Sequence, residues 1–160
     1  MRTLQGEFDG SGLKIAVLCT RWNDYVVDRL VDGAMDVLSD CGVDDDDITL
    51  VRVPGAFELP LVADRLADRY AEDGGLDGIV ALGAVIRGET PHFDYICTEC
   101  AKGLSATALE YGLPVGFGVI TADTAEQADA RAQADEDHNK GAEAASAVVE
   151  MITLLRSIED

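Results

Sequence analysis

The sequence predicts an α/β fold, a parallel sheet covered by helices on both faces. Two observations predict it. Strand-length apolar runs alternate with helical periodicities along the whole chain. The first of those runs, Leu13 to Cys19, is continuous and holds one lysine, as a strand buried on both faces would. With 160 residues, nearly half of them hydrophobic, the chain fits one domain over 1–160 with a real core, its first residues, 1–12, forming an N-terminal strand or arm.

Each element follows in order. Leu13 to Cys19 is a buried strand bounded by Gly12 and Thr20. Asp24 can cap a helix with Val27, Leu30, Val31, Ala34, Met35 and Leu38 at helical spacing, ended by Gly42. Ile48 to Val53 is a second strand. A helix from about Phe57 to Tyr70 carries Val62, Leu66 and Tyr70 on one face. Gly78 to Leu82 is the third strand, and a helix from about Asp94 to Tyr111 closes at Gly112. Val115 to Ile120 is the fourth strand. The remainder is helical, broken near His138, with Ala145, Val148, Val149, Ile152 and Leu155 as the last apolar stripe. Thr3 to Phe8 is a short extended segment without a partner in this alternation. It is expected to pair with the edge of this sheet or with a neighbouring subunit's.

Charge excludes some functions. The formal net charge is −19, from 31 acidic and 12 basic residues. Such a field repels nucleic acid and anionic membranes. It also costs stability by self-repulsion unless salt screens it, and at ~1 M the Debye length is only roughly 3 Å. A salt-rich cytoplasm, as in a halophile, is the expectation. No apolar run approaches the roughly 20 residues of a membrane span, and residues 1–12 lack the apolar core of a secretory signal. Asp44 to Asp47 lacks the alternating ligands of a calcium loop and reads as a solvated turn. Cys97-x-x-Cys100 has no second pair at zinc spacing, so both cysteines read as small core residues, and no metal is expected.

Ligands of open α/β sheets bind outside the carboxyl ends of the strands. Here those ends lead into Arg21-Trp22-Asn23-Asp24, Val53-Pro54-Gly55-Ala56-Phe57-Glu58, Gly83 through Tyr95, and Phe117-Gly118. Polar, aromatic and glycine residues collect on one rim. Gly88 permits close backbone approach and Thr90 offers a hydroxyl. A helix N-terminus near Asp94 adds free N–H groups for an anion. His92 stands where a proton-transfer group would be needed. Trp22, the only tryptophan, can stack on a flat heteroaromatic ring or cover a helix end. Glu58 can accept ligand hydroxyls or oppose a helix dipole. Arg131, within a helix, reads as a surface ion pair, and Arg87 can hold a phosphate or an aspartate. No Walker loop, G-x-G-x-x-G or G-x-S-x-G elbow occurs, which disfavours nucleotide hydrolysis and serine esterase chemistry.

Several segments together resemble the lumazine synthase family. They are Leu13-Lys-Ile-Ala-Val with Arg21-Trp22-Asn23, Val53-Pro-Gly-Ala-Phe-Glu-Leu-Pro60, and Ala81 through Tyr95. Gly112 to Gly118, Thr124 to Ala128 and Asn139-Lys-Gly141 continue the match in order. The resemblance implies a flavodoxin-like three-layer αβα sandwich with a central parallel four-stranded sheet, assembled into pentamers, its N-terminal strand added to a neighbouring subunit. It implies condensation of 5-amino-6-ribitylaminouracil with 3,4-dihydroxy-2-butanone 4-phosphate, without a cofactor. On this resemblance Trp22 would stack on the pyrimidine, while Val85 and Ile86 present backbone groups to it. Ala56, Phe57 and Glu58 would flank the ribityl chain. Gly88, Glu89, Thr90 and Arg131 would bind the phosphate, and His92 would shuttle protons. Phe117 and Arg131 would come from the adjacent subunit. The segment Ala132–His138 departs from the family: it holds Asp135, Glu136 and Asp137 and is about one residue longer, which favours isolated pentamers or small multiples over a sixty-subunit shell.

Two other readings share the scaffold. An archaeal-type riboflavin synthase is disfavoured by the Gly88-Glu-Thr-Pro-His-Phe-Asp-Tyr95 loop. A non-enzymatic flavin- or lumazine-binding storage or shell protein would not need His92 and Arg131. Expected partners are small-molecule substrates, further copies of the chain and riboflavin synthase, in the cytoplasm.

Overall fold

A computed structural model describes residues 1–73 and 75–159. Four strands form one all-parallel sheet: β1 (Ile15–Thr20), β2 (Ile48–Val53), β3 (Gly78–Ile86) and β4 (Val115–Ala122), in spatial order β2-β1-β3-β4. This is the flavodoxin-like order, and the chain reverses its direction of winding between β1 and β3. Among the described residues five α-helices cover the sheet: α1 (Asp24–Asp40), α2 (Leu59–Asp73), α3 (His92–Tyr111), α4 (Ala125–Asp129) and α5 (Lys140–Glu159).

Strand alternation sorts the core into two layers. Ile15, Val17 and Cys19 pack with Val80 and Leu82 under α1 and α5, whose Leu30, Ala34, Ala145 and Val149 are fully buried. Ala16, Leu18, Ile79 and Ala81 face α2 and α3 through Leu59, Ala63, Cys100 and Leu104. The buried row of α2 is thus Leu59, Ala63 and Ala67, with Val62 and Leu66 half-buried beside it. Val62 and Leu66, which share one face as expected, pack against the edge of this core, beside the row of small alanines. The side chain of Tyr70 lies outside the described residues.

Other local details correct the sequence reading. The N-cap of α1 is Asn23, in the left-handed region at φ 59°, whereas Asp24 is the first helical residue and its carboxylate accepts from the Tyr25 N–H at 2.8 Å. β3 runs four residues beyond Leu82, because pairing with β4 continues to Ile86↔Ala122. α3 starts at His92, two residues early. Glycines at the left-handed positions after α1 and α3, Gly42 (φ 86°) and Gly112 (φ 60°), end those helices as expected. Asp44 to Asp47 makes a 3-10 turn in which the Asp44 carboxylate accepts from the Asp46 N–H at 3.0 Å.

The N-terminal segment forms no strand within the chain. It lies along α5, where the Glu7 N–H donates to Thr153 Oγ1 at 2.7 Å. β2 therefore stays at the sheet edge with Leu50 exposed. Among the described residues no helix is long and apolar enough to cross a membrane.

Candidate active site

The reversal between β1 and β3 splits the sheet's carboxyl rim, and a cleft of about 180 Å³ opens there. Thr20, Trp22 and Asn23 line it from the end of β1, Gly55, Ala56 and Phe57 from the loop after β2, and Ala84, Val85 and Ile86 from the end of β3. His92 and Ile96, in the first turns of α3, complete it.

Backbone hydrogen bonds splice the first two segments. Arg21 N–H donates to the Val53 carbonyl at 2.8 Å and Trp22 N–H to the Pro54 carbonyl at 3.2 Å. Asn23 Nδ2 donates to the Ala84 carbonyl at 2.9 Å, tying this turn to β3. Trp22 thereby stands over Gly55, so close that a Cβ there would lie 2.7 Å from the indole. The indole is 66% exposed, presenting its free surface to any ring that enters. Glu58 Oε2 accepts from the Gly55 N–H at 2.9 Å, so one carboxylate oxygen braces the loop.

The loop after β3 is open. Gly88 has no atom near the place of a Cβ, and Glu89 and Thr90 are exposed. Thr90 Oγ1 lies 3.5 Å from the His92 amide. Arg87, at the base of this loop, is committed elsewhere. Its Nε donates to Asp123 at 2.8 Å, an Nη to Asp94 at 3.3 Å, and its guanidinium lies 4.3 Å from the Phe93 ring centroid. The hydrogen bond to Asp123 and the charge of Asp94 raise its pKa. Of the two roles open to Arg87 in the sequence, the structure gives it aspartates.

Phe117 and Arg131 are not at this cleft. They line a separate hollow of about 260 Å³ beside the edge strand β4, with Thr121, Lys140 and Glu143. Arg131 lies in the turn after α4, not within a helix as expected; its Nη donates to the Gln127 carbonyl at 2.9 Å. The Lys140 N–H donates to the Arg131 carbonyl at 2.9 Å, which brings the two cations to one hairpin. Asn139 builds that hairpin. Its Nδ2 donates to the Arg29 and Gln133 carbonyls, and its Oδ1 accepts from the Gly141 and Ala142 N–H groups that begin α5. Cys100 is fully buried in α3, and burial pushes its thiol up to about 12, which keeps it protonated.

Sequence reasoning passed over two lining residues, Ile96 and Thr20, the latter read only as the boundary of the first strand. Its side chain is 1% exposed and its hydroxyl has no hydrogen-bond partner.

A flavodoxin-like sheet with an exposed tryptophan and an imidazole lining a cleft at its switch point defines an α/β protein with a ligand-sized opening at its carboxyl rim. Comparison with known proteins narrows the class. A family model described as 6,7-dimethyl-8-ribityllumazine synthase matches residues 12–156, and the chain belongs to that family. It is 51% identical over 158 residues to the 6,7-dimethyl-8-ribityllumazine synthase of Desulfovibrio desulfuricans, covering 99% of this chain and 98% of that protein. It is equally similar, at 51% and the same coverage, to that of Nitratidesulfovibrio vulgaris strain DP4. The protein of the same name from Nitratidesulfovibrio vulgaris strain Miyazaki F is 50% identical.

Proposed function

We propose that this protein is a transferase that condenses 5-amino-6-(D-ribitylamino)uracil with 3,4-dihydroxy-2-butanone 4-phosphate. The product is 6,7-dimethyl-8-ribityllumazine, with phosphate and water released, the penultimate step of riboflavin biosynthesis. The observation that carries this reading is the Trp22 platform with His92 at the mouth of the cleft. The uracil stacks on Trp22, with Val85 and Ile86 backbone groups along its edge. The ribityl chain runs past Ala56 and Phe57 to the second oxygen of Glu58. The phosphate rests on the open loop Gly88-Glu89-Thr90.

The uracil amine is already a nucleophile, so no covalent enzyme intermediate is required. Rate comes from holding two reactants together and from proton transfer at His92 during imine formation and phosphate loss. No cofactor takes part. In a chain of net charge −19 the phosphate needs a cation. Arg131 is that cation, aided by Lys140 on the same hairpin and joined by Phe117, all from a neighbouring subunit.

Size supports a shared site. About 180 Å³ falls below the roughly 300–1,000 Å³ of complete small-molecule pockets, so the cleft is half a site. The whole chain 1–160 acts as one domain, and its arm, 1–12, pairs with the exposed edge strand β2 of a neighbour. The working form is a pentamer or a small multiple of pentamers in the cytoplasm, with riboflavin synthase as its partner. The acidic surface adapts it to a salt-rich interior.

The test is lumazine absorbance on mixing protein, in molar salt, with both substrates. Product that scales with enzyme supports the reading. A folded, oligomeric protein without turnover refutes it and directs attention to riboflavin synthase activity, then to binding alone.

A further inference from the structure

The buried hydroxyl of Thr20 is unexplained by the fold. Thr20 ends β1 on the face shared with Ala16 and Leu18, and lines the floor of the cleft. Space for its side chain exists because Gly83, on the neighbouring strand, has none: a Cβ there would lie 3.1 Å from Thr20 Cγ2 and 3.2 Å from Oγ1. Of the other residues that line the cleft, Ala56, Val85 and Ile96 offer no side-chain polar group. Of the polar side chains that line the cleft, Asn23 spends its amide on the Ala84 carbonyl, and none is hydrogen-bonded to Thr20.

An orphaned buried hydroxyl costs about 1–3 kcal/mol, and a valine of the same shape would avoid that cost. Strand propensity does not require threonine here either, since valine is at least as favourable. The expense is recovered only if something enters the cleft and pairs with the hydroxyl.

We infer that Thr20 is a specificity-determining residue for the heteroaromatic substrate. Its Oγ1 hydrogen-bonds a polar edge of the ring stacked on Trp22, donating to a ring carbonyl or accepting from a ring N–H. This rests on the reading of the cleft as the pyrimidine site. Such a contact explains discrimination better than raw affinity. A ring lacking the polar edge would leave the hydroxyl unpaired, and a site built to pair a polar group rejects analogues without it.

The experiment uses the full-length oligomer and the pyrimidine substrate itself. Binding is read from quenching of Trp22, the single tryptophan, and turnover from lumazine absorbance. Thr20→Val should raise the Kd and KM for the pyrimidine roughly three- to tenfold, the loss of one hydrogen bond. The KM for the butanone phosphate should hold, and the melting temperature should stay level or rise. Thr20→Ser should restore the Kd. Wild-type affinity in Thr20→Val, in a preparation whose wild type turns over, overturns the inference. So does failure of the serine to rescue. A fall in melting temperature with both KM values moving together would mean that Thr20 merely packs. A wild type that neither binds nor turns over the pyrimidine would instead overturn the reading of the site.

Discussion

Gly55→Ala separates the platform from the fold beneath it. At φ −151° and ψ −177° the backbone accepts alanine without strain, so the whole effect comes from contact. The new methyl would lie 2.7 Å from Trp22 Cε3, 2.8 Å from Cζ3 and 3.3 Å from Glu58 Oε2. Overpacking a closed core costs about 1–3 kcal/mol. Trp22, however, is two-thirds exposed and can swing outward, so the stability loss should sit near about 1 kcal/mol. Function loses more than that margin suggests. The indole leaves its place over the cleft, and aromatic stacking beyond area burial contributes about 0.5–1.5 kcal/mol. At 1.36 kcal/mol per decade, KM for the pyrimidine should rise roughly two- to twelvefold. The emission of the single tryptophan should shift with it. A double-mutant cycle sharpens the measurement: in a Trp22→Ala background, Gly55→Ala should cost binding nothing further. Additive losses, or an unchanged KM beside an unchanged emission spectrum, would refute the account.

The remaining predictions concern other parts of the site. Asn139→Ala deprives two α5 amides and two carbonyls of their partners in a buried place, which should cost about 3 kcal/mol. At roughly 2–4 °C per kcal/mol, calorimetry should show a fall of about 6–12 °C. His92→Ala should slow turnover roughly 10²–10⁴-fold while pyrimidine titration still reports binding; full activity would remove His92 from the mechanism. The exposed His138–Asp135 pair adds a pH dependence. The hydrogen bond to Asp135 raises the His138 pKa above its ordinary 6.5, and the same bond lowers Asp135 below 3.8. The turn should therefore be tightest from about pH 4 to somewhat above 6.5, loosening as acid protonates Asp135 and as base neutralises His138. NMR titration of His138 should show a midpoint that falls in Asp135→Asn, and an unmoved midpoint would dissolve the pair.

Much of the architecture was legible because local signals and the global fold agree. The apolar spacing of α1 and the unbroken run of β1 need no distant partner to be recognised. Errors fell where a distant partner decides. Gly83 to Ile86 reads as loop after a glycine, yet β4 holds it in the ladder. Asn23 took the cap from Asp24 because its amide reaches the Ala84 carbonyl, 61 residues on. The rim rule put Trp22, Ala56, Phe57, Val85, Ile86 and His92 on one rim, and in the structure they line one cleft. It left open whether Arg87 would meet a phosphate or an aspartate, and gave no warning that Thr20 would carry an orphaned hydroxyl. Both are properties of side chains brought together by folding, and neither leaves a periodicity.

The separation of the Trp22 cleft from the Arg131 hollow has a consequence for how loss of function is inherited within an assembly. In the ring proposed above, two unlike surfaces on one chain would join head to tail, so each junction would draw its halves from different copies. A subunit lacking Trp22 and another lacking Arg131 would each form rings in which every junction is impaired. Mixed at random, they would regenerate about one junction in four with both halves intact. Damage at one surface would thus be partly complemented by a subunit damaged at the other.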